Sequence, residues 1–185
     1  RADVRLEAPA RLELARDRVA LASARLRFAD GEFRVDDLLV EQGRITSHGA
    51  FTGVPAETVA RLAGASLPFT TDVAFGGAWS IAATPRLGGT ISIRRERGDV
   101  RYDAGPGTSR EEASIGLSRL DLDVRFDNDA IDGSATLASA RSGSATLAFA
   151  IAPSPTAAPG PLRGDAPLTA RFDGEWPSLK LLQPW

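Results

Sequence analysis

Apolar and charged residues alternate along much of this chain, most regularly between residues 116 and 139. Apolar side chains occupy every second position from Leu120 to Phe126, and charged side chains fill the positions between them. The alternation resumes after the acidic sequence DNDAIDG at 127–133. Because the side chains of a strand point alternately to its two faces, this pattern predicts a hairpin with one apolar and one charged face.

The same period of two recurs in the N-terminal half, with one change of phase. Phe33 and Val35 share one parity, whereas Leu38 and Val40 share the other. A one-residue slip exchanges the two faces of a strand, so we expect a bulge or a turn at Asp36-Asp37. With further alternating segments on either side, the chain predicts about ten strands at short spacing, which hairpin turns join into an antiparallel sheet.

One segment, at about residues 55–64, is typical of a short helix. Pro55 suits the first helical position, Glu57 suits the positive N-terminus, and Gly64 suits the end. A hairpin turn is expected at Arg97-Gly98-Asp99, before the alternation continues. The fold class that follows is all-β, with a long antiparallel sheet and one or two short helices.

The domain organisation predicted from the sequence is a single elongated β domain over residues 1–185. Residues 1–53 and 67–153 repeat a similar pattern and are possible sub-repeats. The proline-rich segment 153–167 indicates an exposed connection, because proline cannot donate to a central ladder. A terminal strand and a helical turn are expected in 168–185. The chain contains no methionine and begins at Arg1, so we expect it to be a fragment of a longer protein.

Charge and composition limit the classes of function. The chain has 22 basic and 24 acidic residues, interspersed, with a net charge of −2, whereas a nucleic-acid binder would show a basic patch or stripe. Nucleic acid is therefore not an expected partner. No apolar run reaches the length of a membrane span, and no secretory signal peptide is present. Cysteine is absent, which removes disulfide and thiolate chemistry.

The residues that could carry catalysis or bind a metal do not form a recognisable motif. His48 is the single histidine, and no HExxH spacing or GxSxG elbow accompanies it. The sequence DNDAIDG resembles a calcium loop only in part, because Ile131 takes the fifth position and no glutamate closes the loop. An acidic hairpin turn is the simpler interpretation. We expect no catalytic residues, no metal and no cofactor.

Large apolar and aromatic residues share the parity of the apolar face. They could pack as a closed protein core, or they could line an open groove for acyl chains or an extended polypeptide. Asp121, Asp123, Arg125 and Asp127 should face water. The predicted groove lining, taken from parity alone, is Phe75, Trp79, Ile91, Ile93, Leu120, Leu122, Val124, Phe126, Leu137, Leu147, Phe149, Ile151 and Phe172.

Several motifs in order resemble a segment from the C-terminal region of the TamB family, within the broader AsmA-like group. HGAFTGVPAETVARL resembles a family step in which G-x-F-x-G-x-P precedes a short helix. FGGAWSI and LGGTISIRRERGDV resemble the next step, and GLSRLDLDVRF and APLTARFDGEWPSLKLLQPW resemble the strands and terminal helix that follow. The resemblance covers most of residues 43 to 185, and these are scaffold motifs rather than catalytic ones.

The resemblance implies a sheet curled into a U-shaped β-taco with an apolar interior and open edges. It implies a place in the periplasm of a Gram-negative bacterium, within a full-length protein anchored in the inner membrane. The expected cargoes are phospholipid acyl chains moving between the two membranes, or nascent outer-membrane β-barrel proteins and autotransporters. A TamA-like outer-membrane barrel would bind through regions outside this chain.

Two alternatives from other classes remain open on the sequence. A closed β-sandwich would act only as a spacer and would carry no cargo. A β-rich carbohydrate-active enzyme would need two carboxylates facing each other in a cleft.

Overall fold

The structure is a computed structural model that describes residues 4–28, 30–62, 64–67, 69–103, 112–153 and 166–177. Strands dominate these residues, as the alternating pattern predicts, and one short helix accompanies them. The elements are β1 Val4–Leu6, β2 Arg11–Ala15, β3 Arg18–Phe28, β4 Gly31–Glu41, β5 Arg44–Pro55, α1 Ala56–Leu62, β6 Thr70–Thr71, β7 Ala74–Ala83, β8 Leu87–Arg97, β9 Val100–Asp103, β10 Glu112–Ser114, β11 Leu117–Asp127, β12 Ala130–Ser139, β13 Gly143–Ile151 and β14 Leu168–Glu175.

Eleven of the strands form one antiparallel sheet. Its order is β1-β3-β4-β5-β7-β8-β11-β12-β13-β14, and β2 lies beside β1 along the same edge of β3. Among the described residues, no strand pairs with the outer edges of β1, β2 or β14, so the sheet is open and is not closed into a barrel. The predicted all-β fold, with a long antiparallel sheet, is confirmed.

The short turns at 41–44, 83–87 and 127–130 lie at one end of the large sheet, and two long excursions lie at the other end, together with the turns at 28–31 and 139–143. The β5–β7 connection carries α1 and β6, and the β8–β11 connection carries β9 and β10. These excursions meet, because β9 pairs with both β6 and β10 to form a second, three-stranded sheet. Four of the six buried apolar residues among those described lie where the excursions join the large sheet: Val54, Val73, Ala74 and Leu117.

Two sequence predictions can be compared with these boundaries, and two others fall largely outside the described residues. The register between β4 and β5 shifts between Val35 and Asp37, which confirms the bulge expected from the change of parity. Pro55 ends β5 instead of starting the helix, which begins at Ala56. The predicted helical turn after residue 177 and most of the proline-rich connection lie outside the described residues.

The expected hairpin at Arg97-Gly98-Asp99 was wrong. β8 ends at Arg97 and β9 starts at Val100, but the two strands belong to different sheets, so this segment is a corner rather than a hairpin. A side chain on Gly98 would overlap the backbone oxygen of Asp72, because a Cβ built there lies 2.1 Å from it and φ is +87°. The corner therefore requires glycine.

The carboxylate of Asp99 holds this corner together. It accepts hydrogen bonds from the Ser114 hydroxyl, from the Gly116 N–H at 3.0 Å and from the Leu117 N–H at 2.8 Å. Burial acts to raise the pKa of Asp99, but the hydrogen bonds from Ser114 and the backbone outweigh it and hold the pKa below its ordinary value. The Asp99 N–H in turn donates to Asp72 at 2.6 Å and lowers the pKa of that carboxyl.

We expect Asp99→Asn to lower the free energy of unfolding by about 1–3 kcal/mol at pH 7, because backbone donors lose a charged acceptor. A depressed folded-state pKa gives stability that is present above the unfolded pKa and is lost as pH falls through the folded value. The gap between wild type and variant should therefore narrow below about pH 4. Urea unfolding at several pH values measures this difference in the free energy of unfolding. Asp132→Asn, at an exposed carboxylate, is the control, and an equal pH dependence for both variants would contradict this account.

Candidate functional site: the apolar face of the large sheet

The antiparallel registers bring apolar side chains into rows that run across the whole sheet. Residues directly opposite each other in a ladder share a face, so the pairings can be followed from strand to strand. One row contains only apolar residues and glycine from β1 to β14. It consists of Leu6, Leu26, Phe33, Phe51, Gly77, Ile93, Leu122, Ala135, Leu147 and Phe172. We call the side of the sheet that carries this row the apolar face.

All thirteen residues predicted to line a groove have the parity of the apolar face. The ladders place Trp79 opposite Ile91, Ile91 opposite Val124, and Phe126 opposite Ile131. The charged residues between them alternate onto the other side of the sheet, which we call the polar face. Asp123, Arg125 and Asp127 are exposed there, as predicted, whereas the Asp121 side chain is only 13% exposed because Arg94 and Arg119 lie against it. The shared face is thus a property of the fold, while contact of these residues with a ligand stays a prediction.

Parity alone missed the contribution of the N-terminal half. Phe33 stacks on Phe51 with ring centroids 5.6 Å apart, and both continue the row that contains Leu122. Leu38 and Ile81 also lie on the apolar face, where each is paired with Ser47. The bulge at Asp36-Asp37 hides which parity of β4 joins the C-terminal rows, whereas the parity of Ile81 was readable from Trp79.

The apolar face is shielded only in part. No large side chain among the described residues is below 2% exposed, whereas two sheets packed as a sandwich would seal theirs. Exposure is highest toward the two edges of the sheet, with Leu14 at 70% and Phe172 at 58%. The other described sheet has three short strands, which is too small to cover the eleven-stranded sheet.

Aromatic rings on this face lie across glycines of the neighbouring strands. A Cβ built on Gly49 would lie 2.3 Å from the Trp79 ring, and one on Gly133 would lie 2.1 Å from the Phe149 ring. Phe51 covers Gly77 in the same way, at 2.7 Å. An aromatic side chain placed over a cross-strand glycine shields the exposed backbone. The rings thereby cover part of the apolar face without a second layer of protein.

Charged residues of the polar face pair with one another. The Arg94 guanidinium donates two hydrogen bonds to Asp123, at 2.7 and 2.8 Å, and this contact raises the pKa of Arg94. His48 Nδ1 lies 2.8 Å from a carboxylate oxygen of Asp37, with both side chains about half exposed. These are solvated ion-pair and hydrogen-bond contacts of a kind that contributes little stability.

The acidic sequence at 127–133 contains a hairpin turn, as predicted, between β11 and β12. Asn128 and Asp129 both have positive φ, at 53° and 71°, which is the geometry of a two-residue turn of type I′. A side-chain oxygen of Asp129 accepts a hydrogen bond from the Leu87 N–H at 2.9 Å, so the carboxylate ties this turn to the start of β8. The acidic residues therefore have a structural explanation.

Comparison with known proteins and motifs gives no further assignment. No protein-family model, curated protein or solved structure matches the chain. Among the described residues there is no group of three or more histidine or acidic side chains close enough to hold a metal ion. Within the same residues, α1 is far too short to cross a bilayer, and no other helix is present.

We expect Gly133→Val to lower the free energy of unfolding by about 1–3 kcal/mol, because the new side chain displaces the Phe149 ring. The loss in free energy of unfolding should be smaller in a Phe149→Ala background, where the ring is already absent. Urea unfolding of the two single variants and the double variant measures this coupling. Ser134→Val, one residue along on the polar face, is the matched control and should change stability by less than about 0.5 kcal/mol. Equal losses at 133 and 134 would contradict the packing of the ring over glycine.

Proposed function

We propose that this chain is a non-enzymatic carrier segment whose apolar face accommodates phospholipid acyl chains. In this proposal it belongs to a TamB-like protein that is anchored in the inner membrane and bridges the periplasm to the outer membrane of a Gram-negative bacterium. The observation that supports the carrier role is the unbroken apolar row from Leu6 to Phe172, on a sheet whose large side chains are not sealed. Exposure of such a row to water is unfavourable in free energy. Large exposed apolar surfaces on proteins therefore commonly mark binding sites.

The dimensions of the row suit a lipid tail. Neighbouring strands lie about 4.8 Å apart, so ten strands extend over roughly 40 Å along the sheet. This exceeds the thickness of hydrocarbon in one bilayer leaflet, which is about 15 Å. Each methylene that leaves water for the apolar face gains about 0.8 kcal/mol. The charged headgroup would stay in water, because the described row from Leu6 to Phe172 has no side-chain donor for a phosphate.

A second candidate cargo is an unfolded outer-membrane barrel polypeptide or autotransporter. The open edge of β14, with all of its residues exposed, supports this alternative, since an extended segment can add to a sheet edge. A sealed sandwich spacer is less well supported, because no large side chain described is fully buried.

Photo-crosslinking in cells distinguishes these cargoes. A benzophenone amino acid at Phe126 or Phe149 reports from the apolar face, and the same group at Arg125 or Ala148 reports from the polar face one residue away. We expect phospholipid adducts from Phe126 and Phe149 and far fewer from the two controls. Polypeptide adducts of barrel-protein mass would favour the second cargo, and no adducts at either apolar position would contradict both.

We expect Val124→Asp to reduce the phospholipid that co-purifies with the chain at least about fivefold, which corresponds to a loss of about 1 kcal/mol in affinity. The reason is that a carboxylate in the middle of the apolar face must be desolvated when an acyl chain lies over it. Extraction and mass spectrometry quantify the lipid per protein. Ser134→Asp introduces the same group on the polar face and should leave the ratio unchanged. Equal loss in both variants would contradict binding at the apolar face.

A further inference from the structure

The outer edge of β14 is an unused sheet edge with large apolar side chains. All eight residues of the strand are exposed, and no described strand pairs with its outer side. Leu168 is 65% exposed and Phe172 58%, and Phe172 stacks on the 45%-exposed Trp176 with ring centroids 5.7 Å apart. An open edge of this length is a template for another strand unless the protein blocks it.

The backbone groups that point outward can be identified from the ladder with β13. The Ala152 N–H donates to the Pro167 carbonyl at 3.1 Å, so these two opposite residues form a hydrogen-bonded pair. Hydrogen-bonded pairs alternate along an antiparallel ladder, which makes Arg171 and Asp173 bond inward to β13. The N–H and C=O groups of the apolar positions Leu168, Ala170, Phe172 and Gly174 therefore point away from the sheet.

The side chains of β14 are complementary to themselves when the strand is reversed. The sequence Arg171-Phe172-Asp173 has opposite charges on either side of one aromatic residue. In the single chain the Arg171 guanidinium contacts Asp173 along the same strand at 2.9 Å, with the two side chains 81% and 60% exposed. Turned antiparallel against a copy of itself, this triplet places each charge opposite its counter-ion.

We propose that β14 pairs antiparallel with β14 of a second copy of this chain, with Phe172 opposite Phe172 on a two-fold axis. In this register, the outward-pointing backbone groups of the two strands face each other. Arg171 lies opposite Asp173 of the second copy at the closer, non-hydrogen-bonded positions, where opposite charges stabilise a sheet. Leu168 lies opposite Trp176 of the second copy, so the most exposed apolar side chains of this edge gain neighbours.

Neighbouring registers are disfavoured by the same side chains. A slip of two residues in one direction puts Arg171 opposite Arg171, and a slip in the other direction puts Asp173 opposite Asp173, although it also places Arg171 opposite Glu175. A slip of one residue sets outward-pointing backbone groups against inward-pointing ones and joins an apolar face to a polar face. The chosen register keeps both apolar faces on the same side, because the two-fold axis is perpendicular to the sheet. The dimer therefore extends the proposed acyl-chain surface rather than covering it. The pairing itself does not depend on the proposed binding of acyl chains.

The opposite edge of the sheet offers a competing partner. β2 carries Arg11-Leu12-Glu13, and β14 could pair with it head to tail with Arg11 opposite Asp173 and Glu13 opposite Arg171. A head-to-tail contact of this kind generates rings or open filaments, whereas pairing of β14 with itself closes after two copies. Exchanging Arg171 and Asp173 distinguishes pairing of β14 with itself from pairing of β14 with β2.

The experiment measures the oligomeric state of the full chain by sedimentation over a range of concentrations. We expect wild type to dimerise, and Arg171→Asp alone to weaken the dimer at least about tenfold, because like charges then face each other twice. The exchange Arg171→Asp with Asp173→Arg should restore wild-type affinity, since the triplet is again self-complementary. Against β2 the same exchange would create two like-charged pairs. A monomeric wild type, higher oligomers, or failure of the exchange to restore dimers would overturn the proposal.

A cysteine on the proposed axis gives an independent readout, since the chain contains none. Opposite positions in a hydrogen-bonded pair have Cα atoms about 5.5 Å apart, which suits a disulfide. We expect Phe172→Cys to form a covalent dimer on mild oxidation, and Leu168→Cys, exposed on the same edge, to do so at least about tenfold more slowly. Equal rates for the two would overturn the register. Because these positions are exposed, unchanged thermal unfolding of each variant serves as the folding control.

Discussion

The side-chain parity that antiparallel ladders carry from strand to strand is the constraint on which this structure depends. Each opposite pair shares a face, so one strand out of phase would turn charged residues onto the apolar face. Within β4 the chain changes phase, and the register shift between Val35 and Asp37 absorbs that change against β5, while β3 changes phase beside it at Ser23, whose φ is positive. As a result Phe33 on one side of the bulge and Leu38 on the other both lie on the apolar face.

A sheet with a single exposed apolar face needs another way to limit contact with water. Here the rings of Trp79, Phe51 and Phe149 lie over glycines on adjacent strands, which protects backbone and ring at the same time. The apolar face is consequently half-buried without being sealed. This intermediate state separates the molecule from a sandwich, whose inner faces exclude other ligands, and it is the basis for proposing acyl chains as cargo.

The ends and the edges of the large sheet differ in which other elements pack against them. At one end, the excursions between β5 and β7 and between β8 and β11 build a small second sheet, which Asp99 ties to the start of β11. Among the described residues, no element pairs with the outer edges of the sheet, and β14 presents exposed backbone and apolar side chains together. Extension of the sheet, by a second copy or by an extended polypeptide, is the physical consequence of such an edge.

The sequence by itself determined the strands, the antiparallel class and the membership of one face, because these follow from a period of two within each segment. It also located the bulge in β4 and the hairpin at 127–133, where local turn chemistry is decisive. It did not determine that Arg97-Gly98-Asp99 is a corner. Ser114 and Leu117, which donate hydrogen bonds to Asp99, lie beyond the local segment. Nor did it show that Phe33, Phe51 and Leu122 share one row. Only the tertiary structure decided these points, since the register between distant strands depends on pairings that no single segment contains.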